Sequence, residues 1–318
     1  MRERALPRTG AVVSEVGLAL VPGPRREEGE PISSDELVVV QRAVDRGYRL
    51  FDLTLVRTPT AYARRLLTEF GGPPGVKVLV PVHESGIPTG RSPSAGNDRS
   101  LRERPTVRSL EAALAGHGAR GAVLAELVIG RDGGAADAAE LVRLAAEGSI
   151  AGWGVVPGPA ADSLDALGPL LERGASWIRV PAHLLDPSPL ERILPLARRT
   201  GSGLFVVDPF AGGRLDGSFL SSHILESTGA TGPPVISDLR RSMGPVTRLG
   251  FLTAGRRRTL PQAAALYLLR YPEVVSVLIE ARSVPRVDEL AHLEAIPPLT
   301  VEEIGRVGTA RRGDPGTA

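Results

Sequence analysis

Short apolar runs alternate with amphipathic stretches along most of the chain. The runs are Val76–Val82, Ala122–Ile129, Ile150–Val156, Trp177–Val180, Leu204–Val207 and Val274–Ile279. Each has strand length, and their near-continuous hydrophobicity suits strands buried on both faces. Between them, helical periodicity predicts helices near Ser34–Arg46, Tyr62–Phe70, Thr106–Ala115, Ala136–Glu147, Asp162–Arg173, Ser188–Arg199, Leu260–Arg270 and Val284–Leu293. Ser33 and Glu36 have the spacing of a capping box at the first helix. Gly47, Gly148, Gly174 and Gly201 each lie just past a helix, where a left-handed stop is expected.

This alternation predicts a parallel sheet covered by helices, and 318 residues suffice for one (β/α)8 barrel. A single domain over residues 1–308 is expected, with a last helix near Val301–Val307 and a disordered tail over residues 309–318. Two irregular segments, Ser85–Pro105 and Gly212–Gly244, leave the C-terminal ends of the third and seventh barrel strands. Loops at that position overhang the barrel mouth, as a lid or a pocket wall.

Several segments carry a family resemblance. IAGWGVVPG (Ile150–Gly158), WIRVPAHLLDPSPLERILPLARRTG (Trp177–Gly201) and DPFAGGRLDG (Asp208–Gly217) resemble the fifth, sixth and seventh strands of the aldo-keto reductase superfamily with their adjoining loops and helices. The resemblance implies a TIM barrel that reduces carbonyls with NAD(P)H through an Asp, a Tyr, a Lys and a His. RLFDLTLVRTPTAYARRLL (Arg49–Leu67) resembles the second strand and helix. There Asp52 matches the Asp, but Arg57 stands at the Tyr. In GVKVLVPVHE (Gly75–Glu84), Val82 stands at the Lys, with Pro81 and His83 beside it. In GARGAVLAELVIG (Gly118–Gly130), Val128 or Leu127 stands at the His.

Nothing nearby restores the set directly. Lys77, the one lysine, is five residues upstream of the expected place, about 16 Å along the strand, and reads as structural. Arg57 is a poor proton donor because a guanidinium stays charged. Tyr62 lies a helical turn too far along unless its loop is reshaped. The positions that would hold the carboxamide are Val156, Pro157 and Arg179, which removes the amides and hydroxyls that orient a nicotinamide. The adenosine end is better kept. Gly212, Gly213 and Leu215 belong to a loop resembling the one whose amides contact the pyrophosphate, and Arg282, Ser283 and Arg286 resemble a phosphate grip. Glu280 and Leu290 depart from that pattern. The resemblance therefore implies NADP(H) held through its adenosine half, with weakened contacts elsewhere.

Composition narrows the partners. There is no cysteine, which excludes disulfides and thiolate chemistry, and the five histidines have no ligand-like spacing, so no metal is expected. All basic residues but one are Arg, interspersed with acids at net charge +2, leaving no basic stripe for nucleic acid. No run approaches the roughly 18 apolar residues of a membrane span. The segment MRERALPRTG lacks the apolar core of a secretory signal, so a cytoplasmic location is expected. The partner expected is a small polar substrate, and nothing selects an oligomeric state.

On the barrel register, Asp52, Thr54, Arg57, His83, Glu84, Glu126, Arg179, His183, Asp208 and Glu280 all fall near C-terminal strand ends. A cluster of Asp52, Arg57, His83 and His183 is the expected catalytic set; Glu126 is the weaker candidate, because a strand could instead present it to a surrounding helix in a salt bridge. Three functions fit. The favoured one is acid–base chemistry without net redox, such as dehydration, cyclisation, isomerisation or hydrolysis. The others are an NADP(H)-dependent reductase with a substitute proton donor, and a non-catalytic scaffold or sensor.

Overall fold

A computed structural model describes residues 1–21, 33–56, 59–70, 75–83, 106–107, 110, 121–129, 135–158, 163–219 and 243–312. The chain enters through an antiparallel hairpin, β1 (Glu3–Ala5) and β2 (Val12–Ser14). Eight parallel strands then close into a barrel: β3 (Val16–Ala19), β4 (Leu50–Asp52), β5 (Lys77–His83), β6 (Val123–Val128), β7 (Gly152–Val156), β8 (Trp177–Pro181), β9 (Gly203–Val207) and β10 (Val274–Glu280). Their order around the barrel is their order in the chain, with β10 returning to β3. The surrounding helices include α1 (Ser34–Asp45), α2 (Pro59–Phe70), α3 (Ala135–Ala146), α4 (Ser163–Glu172), α5 (Ser188–Thr200), α6 (Leu260–Leu269), α7 (Val284–Leu290) and α8 (Val301–Arg312). No described helix is long and apolar enough to cross a membrane.

Alternation along each strand sorts residues into two cores. Phe51, Val78, Val80, Val82, Val123, Leu127, Ile178 and Val206 point outward and pack with helix residues such as Val40, Leu66 and Leu144. Leu50, Leu79, Leu124, Trp177, Phe205 and Leu278 point inward and fill the barrel, joined from below by Leu6 and Val13 of the hairpin region. The hairpin thus plugs the N-terminal end, and only the C-terminal end can open to a ligand. Small residues make room for large ones in this interior. A Cβ at Gly154 would lie 2.3 Å from the Trp177 indole, so the ring occupies the space that any side chain there would need.

The predicted elements agree closely with the observed ones. The Ser33 capping box is present, and Gly47, Gly148, Gly174 and Gly201 all have positive φ. Lys77 donates to the Gly121 carbonyl at 2.7 Å, the structural role its position suggests. Three points differ. The hairpin and β3 carry too few residues to give a periodic signal. α8 continues to Arg312, so residues 309–312 are helical where a tail was expected. Val82 points outward, so it does not occupy an active-site position on β5. Most of the helix expected near Thr106–Ala115, and most of the two irregular segments, lie outside the described residues.

Candidate active site

The inward position above the Leu50–Trp177–Phe205 layer is charged. It holds Asp52 on β4, Glu126 on β6 and Arg179 on β8, which are 2%, 0% and 8% exposed. Arg179 spans the barrel. Its Nε donates to Glu126 Oε2 at 2.7 Å and its Nη1 donates to Asp52 Oδ2 at 3.0 Å. The other Glu126 oxygen accepts from Trp177 Nε1 at 3.1 Å, a bond that depends on the space left by Gly154. Asp52 Oδ1 accepts from the Thr54 amide at 2.9 Å and hydroxyl at 2.7 Å. Every carboxylate oxygen in the layer is hydrogen-bonded, as burial demands.

One guanidinium serves two carboxylates, so the layer carries an excess negative charge unless a proton joins it. Burial raises the Glu126 pKa to about 7; Arg179 opposes the rise and Asp52 adds to it. Burial works against the Arg179 charge, but the two flanking carboxylates outweigh it, so the guanidinium stays protonated. The barrel therefore holds a carboxyl group that exchanges its proton near neutral pH, bonded to a permanent cation.

Asp52 keeps its expected place, but the cation that balances it is Arg179 from the opposite wall. Arg57 lies outside the described residues. His83 ends β5 in register with Val128, and its side chain is likewise outside them. His183 comes just after β8, where its Nδ1 accepts from the Asp186 amide at 2.9 Å. That bond leaves the ring proton on Nε2, making neutral His183 a donor at its free nitrogen. Burial lowers its pKa, with Asp208, Arg214 and Asp186 as its charged neighbours. Among the described residues, no contact joins His183 to Asp52. Of the two orientations open to Glu126, the structure has the inward one: its oxygens accept from Trp177 and Arg179, not from a helix. Arg179 and Glu126 could have been found from strand parity, since both share the inward face with Asp52 and a buried carboxylate needs a buried cation.

The residues of the expected phosphate site are largely committed to one another. The Gly212 amide donates to Asp208 Oδ1 at 2.6 Å and the Leu215 amide to the Phe210 carbonyl at 3.0 Å. Gly213 has φ +82°, and a Cβ there would lie 2.2 Å from Ser218 Oγ; its carbonyl accepts from the Phe219 amide. Arg286 pairs with Glu289 and donates to the Asp216 carbonyl at 2.7 Å. Arg282 and Ser283 remain exposed, and Ser283 makes no side-chain cap to α7. Close by, partial burial raises the Glu280 pKa; Arg282 opposes this and Asp208, Asp216 and Asp52 add to it. Occupied amides and an acidic surround fit the phosphates of a dinucleotide poorly.

Among solved structures, an aldo-keto reductase from Bacillus halodurans superimposes on this barrel with a TM-score of 0.66 in its holo form and 0.65 in its apo form, at 18% identity. Each match covers 98% of this chain and 96% of the other. The chain has the aldo-keto reductase fold. No protein-family model matches the sequence, and no curated protein is significantly similar to it. On this barrel, the wall that the sequence resemblance assigns to the nicotinamide carries Arg179, tied across the barrel to Asp52 and Glu126.

Proposed function

We infer that this barrel carries out proton-transfer chemistry without net redox on a small polar molecule bound at its C-terminal mouth. The observation behind this reading is the Asp52–Arg179–Glu126 layer. Asp52 is engaged by Arg179, so it is not available to orient a separate proton donor. Glu126 holds a proton that exchanges near pH 7, the range in which an acid–base group works best. Arg179 can polarise a substrate oxygen, and His183 offers an Nε2–H from the rim. Dehydration, cyclisation, isomerisation and hydrolysis all need only these functions.

The test is to incubate the purified protein with pooled polar metabolites, without nicotinamide, and follow their loss by NMR. Conversion that disappears in Glu126→Gln supports the reading. Conversion that requires NADPH would replace it with the second reading, carbonyl reduction by a substitute donor. That alternative draws on the fold shared with an aldo-keto reductase and on the open Arg282 and Ser283. It is opposed by the internal partners of Gly212, Leu215 and Arg286.

A further inference from the structure

The two carboxyl groups of the charged layer are held by unequal sets of donors. Asp52 Oδ1 accepts from the Thr54 amide at 2.9 Å and from the Thr54 hydroxyl at 2.7 Å. Its other oxygen accepts from Arg179 Nη1 at 3.0 Å, and Nη2 lies 2.9 Å from Oδ1, so both ends of the guanidinium fork face Asp52. Glu126 meets the same cation through Nε alone and has one further donor, the Trp177 indole. Donors stabilise the ionised form of a carboxyl group and disfavour its protonated form. Two buried carboxyl groups share one cation, so charge balance calls for a single proton. The donors favour Glu126 as its place, and the burial of Glu126 acts in the same direction.

Thr54 reaches Asp52 because of the turn that ends β4. Leu53 is wholly buried, and its amide still pairs with the Leu79 carbonyl of β5. The Val56 amide then donates to the Leu53 carbonyl at 3.1 Å, which closes a tight turn. Within it the Asp52 side chain accepts from the amide two residues ahead, and the Thr54 hydroxyl falls on the same oxygen. Beyond the layer, Glu280 on β10 is an acidic neighbour whose proton affinity Asp52 raises. Its negative charge draws a proton toward Asp52 in turn, and the Thr54 bonds oppose that.

We propose that Thr54 is a positioning residue for the proton transfer: by holding Asp52 as the anion paired with Arg179, it leaves Glu126 as the group that gains and loses the proton. This rests on the acid–base reading of the same site and deepens it by fixing which of the two carboxyl groups is the acid. Thr54 acts through Asp52. Without its hydroxyl, the two carboxyl groups compete for one proton and titrate as a coupled pair. Near neutral pH, less of the protein then carries the acid in its place.

Carboxyl-carbon NMR tests this, with carbon-13 in the side-chain carboxyls of Asp or of Glu. The two resonances are assigned by their loss in Asp52→Asn and Glu126→Gln. In the wild type, Glu126 should titrate at a higher midpoint than Asp52. Thr54→Val keeps the amide and the branched shape but removes the hydroxyl, and it should raise the Asp52 midpoint by about one to two pH units. Thr54→Ser should restore the wild-type midpoint. A merely structural role for Thr54 would not move it. An Asp52 midpoint at or above that of Glu126 in the wild type, or one unmoved by Thr54→Val, overturns the proposal. Should Thr54→Val fail to fold, the wild-type order of the two midpoints decides alone. The expected titrations without any cofactor-free conversion would leave the proton placement standing and remove the acid–base reading. Conversion that disappears in Glu126→Gln, beside an Asp52 midpoint unmoved by Thr54→Val, would do the reverse.

Discussion

Arg179 and Asp52 are separated by 127 positions in the chain, yet Arg179 Nη1 lies 3.0 Å from Asp52 Oδ2 inside the barrel. The pair joins β8 to β4, and Glu126 on β6 extends it to a third strand. A network of this kind fixes the shape of the mouth floor. Removing the one cation would leave two buried carboxylates unpaired. Arg179→Met should therefore destabilise the protein by about 3–5 kcal/mol in urea denaturation. Adding Asp52→Asn and Glu126→Gln to Arg179→Met should recover much of that loss. Equal stability of the single and triple variants would mean that the carboxylates are not the source of the penalty.

Glu126 gives folding a pH dependence whose sign can be worked out. Its pKa is near the ordinary carboxylate value when unfolded and about 7 when folded. Between those values the folded state binds the extra proton, so this contribution to stability is full below about 4.5 and is lost as pH rises through 7. Denaturation at pH 5.5 and 8 should show a loss on the order of 1–3 kcal/mol from this group. Glu126→Gln should flatten that slope, at a lower overall stability, because an NH2 donor replaces one of the two oxygens that accept separately from Trp177 and Arg179. A slope unchanged by Glu126→Gln would assign the titration elsewhere.

Trp177 should report the same proton directly. In Trp153→Phe the remaining indole donates to Glu126 Oε1, so its emission should titrate with a midpoint near 7. A flat emission between pH 5 and 9 would mean that Glu126 does not change charge in that range.

Gly154 is the packing requirement beneath this chemistry. A Cβ there would lie 2.3 Å from the Trp177 ring, too close for any adjustment smaller than moving the indole. Gly154→Ala should destabilise by about 1–3 kcal/mol and break the Trp177–Glu126 bond. A fall in the Glu126 proton affinity in a stable Gly154→Ala protein would go against expectation, since losing that donor should raise it.

The barrel was legible because its strands are buried on both faces and its helices carry caps and stops that act locally. Ser33 with Glu36, and Gly201 at φ +65°, show their function within a few residues of themselves. The charged layer was less legible because its partners are brought together only by barrel closure. Sequence proximity favours Arg57 as the cation for Asp52, whereas the barrel supplies Arg179. Glu126 sits inside an apolar run, where its neighbours give no sign of which face it takes. Counting in twos from Leu124 places it inward, and that parity was the available signal. The phosphate segment was legible only as a resemblance, because a matching loop sequence does not tell whether its amides are free. Gly212 and Leu215 turn theirs to Asp208 and Phe210.

The most direct test of the proposed non-redox reading is NADPH oxidation with a panel of simple aldehydes and ketones. General acid assistance contributes roughly 10²- to 10⁴-fold to such reductions. With Arg179 occupying Asp52, and no tyrosine or lysine among the described residues of the charged layer, consumption of NADPH should not exceed the rate without carbonyl. Steady carbonyl-dependent oxidation of NADPH at rates ordinary for enzymes would contradict this and make the protein a reductase.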